Sequence, residues 1–267
     1  MAIVPVRQES LLTYQAEGVT VPHAFTTRLG GVSEGYLASL NIGTRRGDSP
    51  ENVIRNYEIL GNALGFDPER AVLTRQTHTD TVLPVDSRHH GAGLSKPDLL
   101  ECDGLVTNTP GTALVVFTAD CTPILLFDPV TGAVGAVHAG WRGTASAIAA
   151  KAVEEMTRSF GCQPENIRAA IGPNIGQCCF ETDGDVPEAM VASLGDGVLS
   201  AIRREDKKYY VNLKEINRQV LAKAGVTKVE VSTLCTACNT RLFWSHRRMG
   251  ASRGSQGAVI LCKEKHL

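Results

Sequence analysis

The apolar residues of this chain come in short runs broken by turn formers. The longest, residues 113–117 and 124–127, have the length of buried β-strands. None approaches the roughly eighteen uninterrupted apolar residues of a membrane span. Residues 71–74 and 81–85 read as strands flanking a polar corner, Gln76-Thr77-His78-Thr79-Asp80. Asp128-Pro129-Val130-Thr131-Gly132 supplies turn chemistry before a further strand at 133–138. A Gly-rich corner, Ala139-Gly140-Trp141-Arg142-Gly143, then leads into a helix for which Thr144 is the expected cap. Its apolar positions Ala145, Ile148, Ala149, Ala152, Val153 and Met156 recur at helical spacing, and Gly161 suits its C-terminal end.

Further strands are expected at 167–171, 228–232 and 258–262, with a helix over 213–224 closed by Gly225. This mixture of local and crossover connections predicts an α/β (α+β) fold, a layered sandwich of mixed β-sheets flanked by helices. No linker or repeat divides the chain, so residues 1–267 are expected to form a single domain. Residues 87–98, rich in Gly, His, Ser and Pro, read as a surface loop. With 43% hydrophobic and 21% charged residues there is ample material for a core.

Charge narrows the partners. The 27 Lys+Arg and 28 Asp+Glu leave a net charge of −1. A balance of that kind argues against an electrostatic nucleic-acid binder and removes the polybasic route to an anionic membrane. The charge balance does not bear on oligomeric state, for which a monomer is the expectation. The first residues show no basic segment followed by a long apolar one, so no secretory signal is read. Eight cysteines in such a chain are expected as thiols in a reducing compartment, the cytoplasm, most of them buried as small hydrophobes.

Chemistry concentrates where strands stop. His78, Cys121 and His138 each stand at a polar corner after an apolar run, a rigid mount with access to solvent. Two imidazoles and a thiolate suit Zn²⁺, and three protein ligands leave a fourth position for water or substrate. The same residues admit a nucleophile reading, with Cys121 activated by His138 and an acid such as Asp120 or Asp103 orienting the imidazole. They also admit a bland one, two polar-loop histidines and a buried thiol.

Other features are less specific. Cys178-Cys179 and the Cys235-x-x-Cys238 pair could form a spare metal site. His89-His90 is expected to be solvated. Arg28, in Thr26-Thr27-Arg28-Leu29-Gly30-Gly31, and Arg142 could hold an oxyanion beside flexible backbone or serve as surface ion-pair partners. No phosphate-loop, dinucleotide, metalloprotease or hydrolase-elbow motif is present.

Several strings together resemble a known family. They are Phe25-Thr26-Thr27-Arg28, Ser39-Leu40-Asn41-Ile42-Gly43, Gln76-Thr77-His78, Thr118-Ala119-Asp120-Cys121-Thr122-Pro123 and His138-Ala139-Gly140-Trp141-Arg142-Gly143. The segment 170–181 with its Cys178-Cys179 pair, and Phe243-Trp244-Ser245-His246-Arg247-Arg248, belong to the same pattern. This set is similar to the YfiH/YlmD-type purine nucleoside phosphorylase family, whose members have also been called polyphenol oxidases or laccase-like proteins and include a human laccase-domain-containing protein.

The resemblance implies one α/β domain holding a zinc ion through His78, Cys121 and His138. It implies phosphorolysis of adenosine, inosine, guanosine and methylthioadenosine, with adenosine deamination beside it, so purine nucleosides and phosphate are the expected partners. It places Arg28, as a phosphate clamp, and Asn41, Gln76 and Cys179 near the pocket. The family's late Thr-Gly-Arg stretch departs here to Ser252-Arg253-Gly254-Ser255, making Arg253 the candidate for a shifted arginine. Alternatives are a Cys121/His138 hydrolase, a copper-dependent oxidase, for which seven histidines are few, and a metal-binding module without turnover.

Overall fold

A computed structural model describes residues 2–97 and 100–263. Its centre is a pair of mixed sheets. The first runs, in spatial order, Ile3–Gln8, Leu11–Ala16, His23–Thr26, Gln256–Leu261, Ala113–Thr118, Ala71–Arg75, Leu100–Glu101. The second runs Lys228–Val231, Arg168–Ile171, Thr122–Phe127, Val134–Ala139, Gly104–Thr107, Val82–Pro84. Most neighbours are antiparallel. Parallel pairs join Ala71–Arg75 to both Ala113–Thr118 and Leu100–Glu101, Val82–Pro84 to Gly104–Thr107, and Arg168–Ile171 to Lys228–Val231.

The apolar runs are continuous because both faces of these central strands are covered. Leu114 and Val116 face the second sheet, where Leu125, Phe127, Val134 and Ala136 meet them. Their neighbour Val115 points the other way, against Leu60 and Tyr57 of the helix Pro50–Leu64. Ile124 and Leu126 alternate with Leu125 and turn toward the helices Ile148–Phe160 and Leu213–Lys223. The layers are therefore helix, sheet, sheet, helices, as the sequence predicts. A small third sheet, Glu181–Thr182, Lys208–Val211 and Ile202–Glu205, lies outside this stack.

Several expectations shift in detail. The helix expected after Thr144 begins at Trp141, stops at Ala145, and resumes at Ile148 after Ala147 adopts φ 56°. Thr144 does not cap it; its hydroxyl accepts a hydrogen bond from buried Asn217 at 2.9 Å. Gly161, at φ 70°, does end the second part. The helix Pro50–Leu64 is not among the expected elements; Ser49 Oγ caps it, accepting from Asn52 N at 3.1 Å, and Pro50 follows. Of the loop over residues 87–98, Ser87–His89 forms a 3₁₀ turn and Asp98 lies outside the described residues. No described helix is long and apolar enough to cross a membrane.

Candidate metal centre

The three sequence-nominated ligands converge. The ligand atoms of His78, Cys121 and His138 all lie within 4.8 Å of one another. Cys121 Sγ is 3.9 Å from His78 Nε2, and the two imidazole rings stand edge to face with centroids 5.0 Å apart. His138 comes from the end of Val134–Ala139, while Cys121 sits on the sharp turn between Ala113–Thr118 and Thr122–Phe127. The turn depends on Asp120, which takes φ 94° and is fastened by three bonds. Its carboxylate accepts from Thr236 Oγ at 2.6 Å, Ser245 Oγ at 3.0 Å and Arg247 N at 2.7 Å.

His78 also adopts a left-handed conformation, φ 61°. Strain of this kind persists only where the surroundings over-determine it. Here Asp103, fully buried, gathers the corner. Its carboxylate accepts the successive backbone N–H groups of Thr77, His78 and Thr79 at 3.1, 3.1 and 2.9 Å, and the Thr79 hydroxyl at 2.9 Å. It is also 2.7 Å from His138 Nδ1. Burial pushes the Asp103 carboxyl up, but the bonds from His138 and Thr79 outweigh it and hold it down at about 2. An ionised carboxylate compels Nδ1 to donate, which directs Nε2 of His138 toward the centre. Of the two acids considered for orienting the imidazole, Asp103 does so; Asp120 holds the Cys121 turn instead.

The donor set fits a divalent metal on geometry as well as chemistry. A Cβ added at Gly140 would stand 3.0 Å from His78 Cδ2, 3.4 Å from Cys121 Sγ and 3.7 Å from His138 Cε1. This glycine thus abuts all three ligands at once. Burial pushes the Cys121 thiol up, yet the charge of His138 and hydrogen bonds from both imidazoles bring it down to about 6. Burial likewise lowers His138, while Cys121 and Asp103 together raise it to about 9. The pairing favours the thiolate, the form that binds metal. Because Gly140 has ordinary φ −65°, Gly140→Ala is expected to leave the melting temperature within about 2 °C while weakening zinc binding about tenfold, by crowding the ligands. Competition with a chromogenic chelator reads the affinity.

Around these ligands lies a pocket whose walls include Thr44, Arg45, Arg46, Gln76, Phe117 and Arg253. On the other side of Cys121 is a smaller recess lined by Trp141, Ile175, Phe180 and Leu213. The implied pocket residues fare unequally. Gln76 lines the pocket, but its amide is bound to Phe117, accepting from N at 2.6 Å and donating to O at 2.7 Å. Asn41 does not line it. Fully buried, it accepts from Gly43 N and Ser255 N and donates to Asp48, so it braces the wall from behind.

Arg28 is also displaced from its expected place. Its guanidinium donates to the carbonyls of Ala38 and Thr240 and lies 3.8 Å over the Trp244 ring, outside the pocket wall. Cys179 stands apart too, in a cluster with Cys178, Cys235 and Cys238. Arg253 does reach the pocket, beside Arg46, whose guanidinium donates to Arg253 O at 3.0 Å. The arginines at 45 and 46 and the recess around Trp141 carry no local signal; the fold puts the first beside His78 and the second beside Cys121. Arg142 stacks on Trp141 at 4.2 Å.

Of the other histidines, His89 caps its own turn, and His90 is partly buried against Thr112 at 2.8 Å rather than solvated. Four of the eight cysteines are buried, Cys102, Cys162, Cys235 and Cys262, half rather than the expected majority, because Cys121, Cys178, Cys179 and Cys238 stand in the two thiol-bearing clusters. Burial raises Cys102 to about 12 and Cys162 and Cys262 to about 11.

The comparisons with known proteins converge on one family. Residues 22–263 match the family described as multi-copper polyphenol oxidoreductase laccase. The chain is 36% identical over 244 residues to purine nucleoside phosphorylase YlmD of Bacillus subtilis, covering 90% of this chain and 88% of that one. The chain belongs to the laccase-like YfiH/YlmD family. Another member, adenosine deaminase RL5 from an unknown prokaryotic organism, is 36% identical over 247 residues, 90% of this chain and 93% of its own. The crystal structure of the family protein YlmD from Geobacillus stearothermophilus superposes with a TM-score of 0.91 at 34% identity, covering 98% of this chain and all of that one. The mixed-sheet architecture is thus the YfiH/YlmD fold.

Proposed function

We propose that this chain is a zinc-dependent purine nucleoside phosphorylase with adenosine deaminase activity, working as a single cytoplasmic domain and as a monomer. The observation that carries the reading is a three-ligand His-Cys-His group opening between an arginine-lined pocket and an apolar recess. Relatives named for both activities support it. When bound, a divalent ion supplies Lewis acidity and a water that ionises near neutral pH.

The chain's own groups divide the rest. His78, Cys121 and His138 are the ligands, and Asp103 keeps the Nδ1 proton of His138 in place. Trp141 and Phe180 offer flat apolar surface for a purine, next to Cys121. In phosphorolysis a phosphate oxygen forms the new bond to C1′ of the ribose while the bond to the purine nitrogen breaks. Arg253, with Arg46 beside it, is the clamp for that phosphate. Burial and the charge of Arg46 both lower the Arg253 guanidinium, a cost that an anion between them relieves. In deamination a water oxygen replaces the amine at C6 of the purine, and ammonia leaves.

The phosphate role moves from Arg28 to Arg253, and kinetics separate the two. Arg253→Ala is expected to raise the phosphate KM about tenfold or more, the worth of a charge-assisted hydrogen bond. Arg28→Ala, which loses the Trp244 stack and two carbonyl partners, is expected to lower the melting temperature and leave the phosphate KM unchanged. The reverse pattern would restore Arg28 as the clamp.

A Cys121/His138 hydrolase is the second reading, favoured by the same thiolate–imidazole pair. For a multi-copper oxidase the imidazoles are badly placed. Among the described residues His23, His89, His90 and His246 bond elsewhere, and only His78 and His138 join the group. A nucleoside panel with and without phosphate, on protein of known metal content, tests the proposal. Phosphate-dependent release of free base, and ammonia from adenosine, are expected; metal-bearing protein that turns over no purine nucleoside would refute it.

A further inference from the structure

Four cysteines take no part in that chemistry. Cys178 and Cys179 lie in the segment that follows the strand Arg168–Ile171, and Cys235 and Cys238 in the one that follows Lys228–Val231. Those strands are parallel neighbours, so the chain leaves the sheet twice at the same edge. A bridge between Asn174 and Cys235 carries the pairing beyond the strand ends. Each segment then folds back on itself. Cys179 N and Phe180 N both donate to Gly176 O at 2.9 Å, and Asn239 N donates to Cys235 O at 3.1 Å. The Sγ atoms of Cys178 and Cys179 are 3.8 Å apart, those of Cys178 and Cys238 3.7 Å, and those of Cys179 and Cys238 3.4 Å. All four sulfurs lie within 4.8 Å of one another.

We propose that these four thiols form a structural zinc site, separate from His78, Cys121 and His138. The spacing carries the assignment. Sulfurs bound tetrahedrally at ~2.3 Å from a shared zinc ion stand about 3.8 Å apart. The three separations among Cys178, Cys179 and Cys238 match that edge to within a few tenths of an ångström, and Cys235 Sγ lies within 4.8 Å of each, whereas a disulfide brings one pair to about 2.05 Å. Four thiolates around Zn²⁺ carry a net charge of minus two, and the thiol protons they give up pass to solvent.

The surroundings supply the donors and cations such an anion requires. Gly176 N donates to Cys235 Sγ at 3.1 Å, and Arg248 Nη2 approaches Cys179 Sγ at 3.7 Å. Buried Lys214 donates to Leu234 O at 2.8 Å, next to Cys235, and has no carboxylate partner among the described residues.

The site would brace the catalytic corner. Asp120, the residue before Cys121, accepts Ile175 N at its carbonyl (2.9 Å) and Thr236 Oγ at its carboxylate (2.6 Å). Both cysteine-bearing segments thus hang from the turn that presents Cys121. An ion tying them together fixes that turn and the Ile175 and Phe180 wall of the recess.

Metal counting on the full chain purified with zinc tests this. Two zinc equivalents per chain are expected for the wild type, falling to one in Cys238→Ser and to one, by loss of the other ion, in His78→Ala. Cys238→Ser should also unfold at a lower temperature. If Cys238→Ser does not fold, His78→Ala loaded with cobalt(II) decides, because the sulfur-to-cobalt charge-transfer band grows with the number of thiolates. A four-thiolate spectrum is expected. A zinc content that Cys238→Ser leaves unchanged, a spectrum without thiolate intensity in cobalt-loaded His78→Ala, or a disulfide among the four in protein purified under reducing conditions would overturn the assignment.

Discussion

Cys121→Ala is expected to remove both proposed activities together, lowering kcat/KM by at least about a hundredfold, a floor set by what outer-shell changes alone cost at metal sites. The thiolate is the softest of the three proposed ligands and stands 3.9 Å from His78 Nε2. Without it two imidazoles remain, one of them on an exposed corner. Zinc at this centre should fall to a small fraction of an equivalent. Because a thiol nucleophile would be lost as well, the variant is read beside a chelation experiment on the wild type. Chelator is expected to abolish turnover and added zinc to restore it. Activity indifferent to chelator but ended by a thiol alkylator would favour the hydrolase instead.

Asp103→Asn is expected to have the second-largest effect, and it acts without touching substrate. One carboxylate oxygen takes the His138 Nδ1 and His78 N bonds, and the other takes three bonds from Thr77 and Thr79. An amide has one acceptor oxygen, so in either orientation its NH₂ group faces donors. Each buried donor left unpaired costs about 1–3 kcal/mol. The melting temperature should fall by about 5 °C or more, and zinc affinity by about ten- to a hundredfold.

The pH dependence follows from the direction of the shift. Asp103 is held at about 2 in the folded chain, below its unfolded value of ~3.9. Its contribution is therefore complete above about pH 4 and lost as pH falls toward 2. The stability gap between wild type and Asp103→Asn should narrow over that acid range. A gap independent of pH, with unchanged zinc affinity, would show that Asp103 does not organise the site.

How much of this the sequence discloses depends on whether the cause is local. The strands Ala113–Thr118, Thr122–Phe127 and Val134–Ala139 are legible because burial on both faces writes an unbroken apolar run. The exposed strand Ile202–Glu205 writes no such pattern, since three of its four residues face solvent. The helix Pro50–Leu64 is absent from the sequence expectations even though Ser49 and Gly65 bound it and Val53, Tyr57, Leu60 and Leu64 are buried along one face.

The same division holds at the site. His78, Cys121 and His138 are legible as reactive types at strand ends, but their meeting is a property of two sheets folded together. Arg28 is misleading for the complementary reason. A guanidinium beside glycines suggests an anion site, and the return of Trp244, distant in sequence, stacks it outside the pocket wall. Asp103 is legible only as one of two acids that could orient an imidazole, and nothing nearby announces five converging donors.

The most direct measurement is a crystal structure of the zinc-loaded chain with anomalous scattering collected at the zinc edge. An ion is expected about 2.0–2.1 Å from Nε2 of His78 and of His138 and about 2.3 Å from Sγ of Cys121. Zinc-soaked crystals with no anomalous peak among those three atoms would contradict the account.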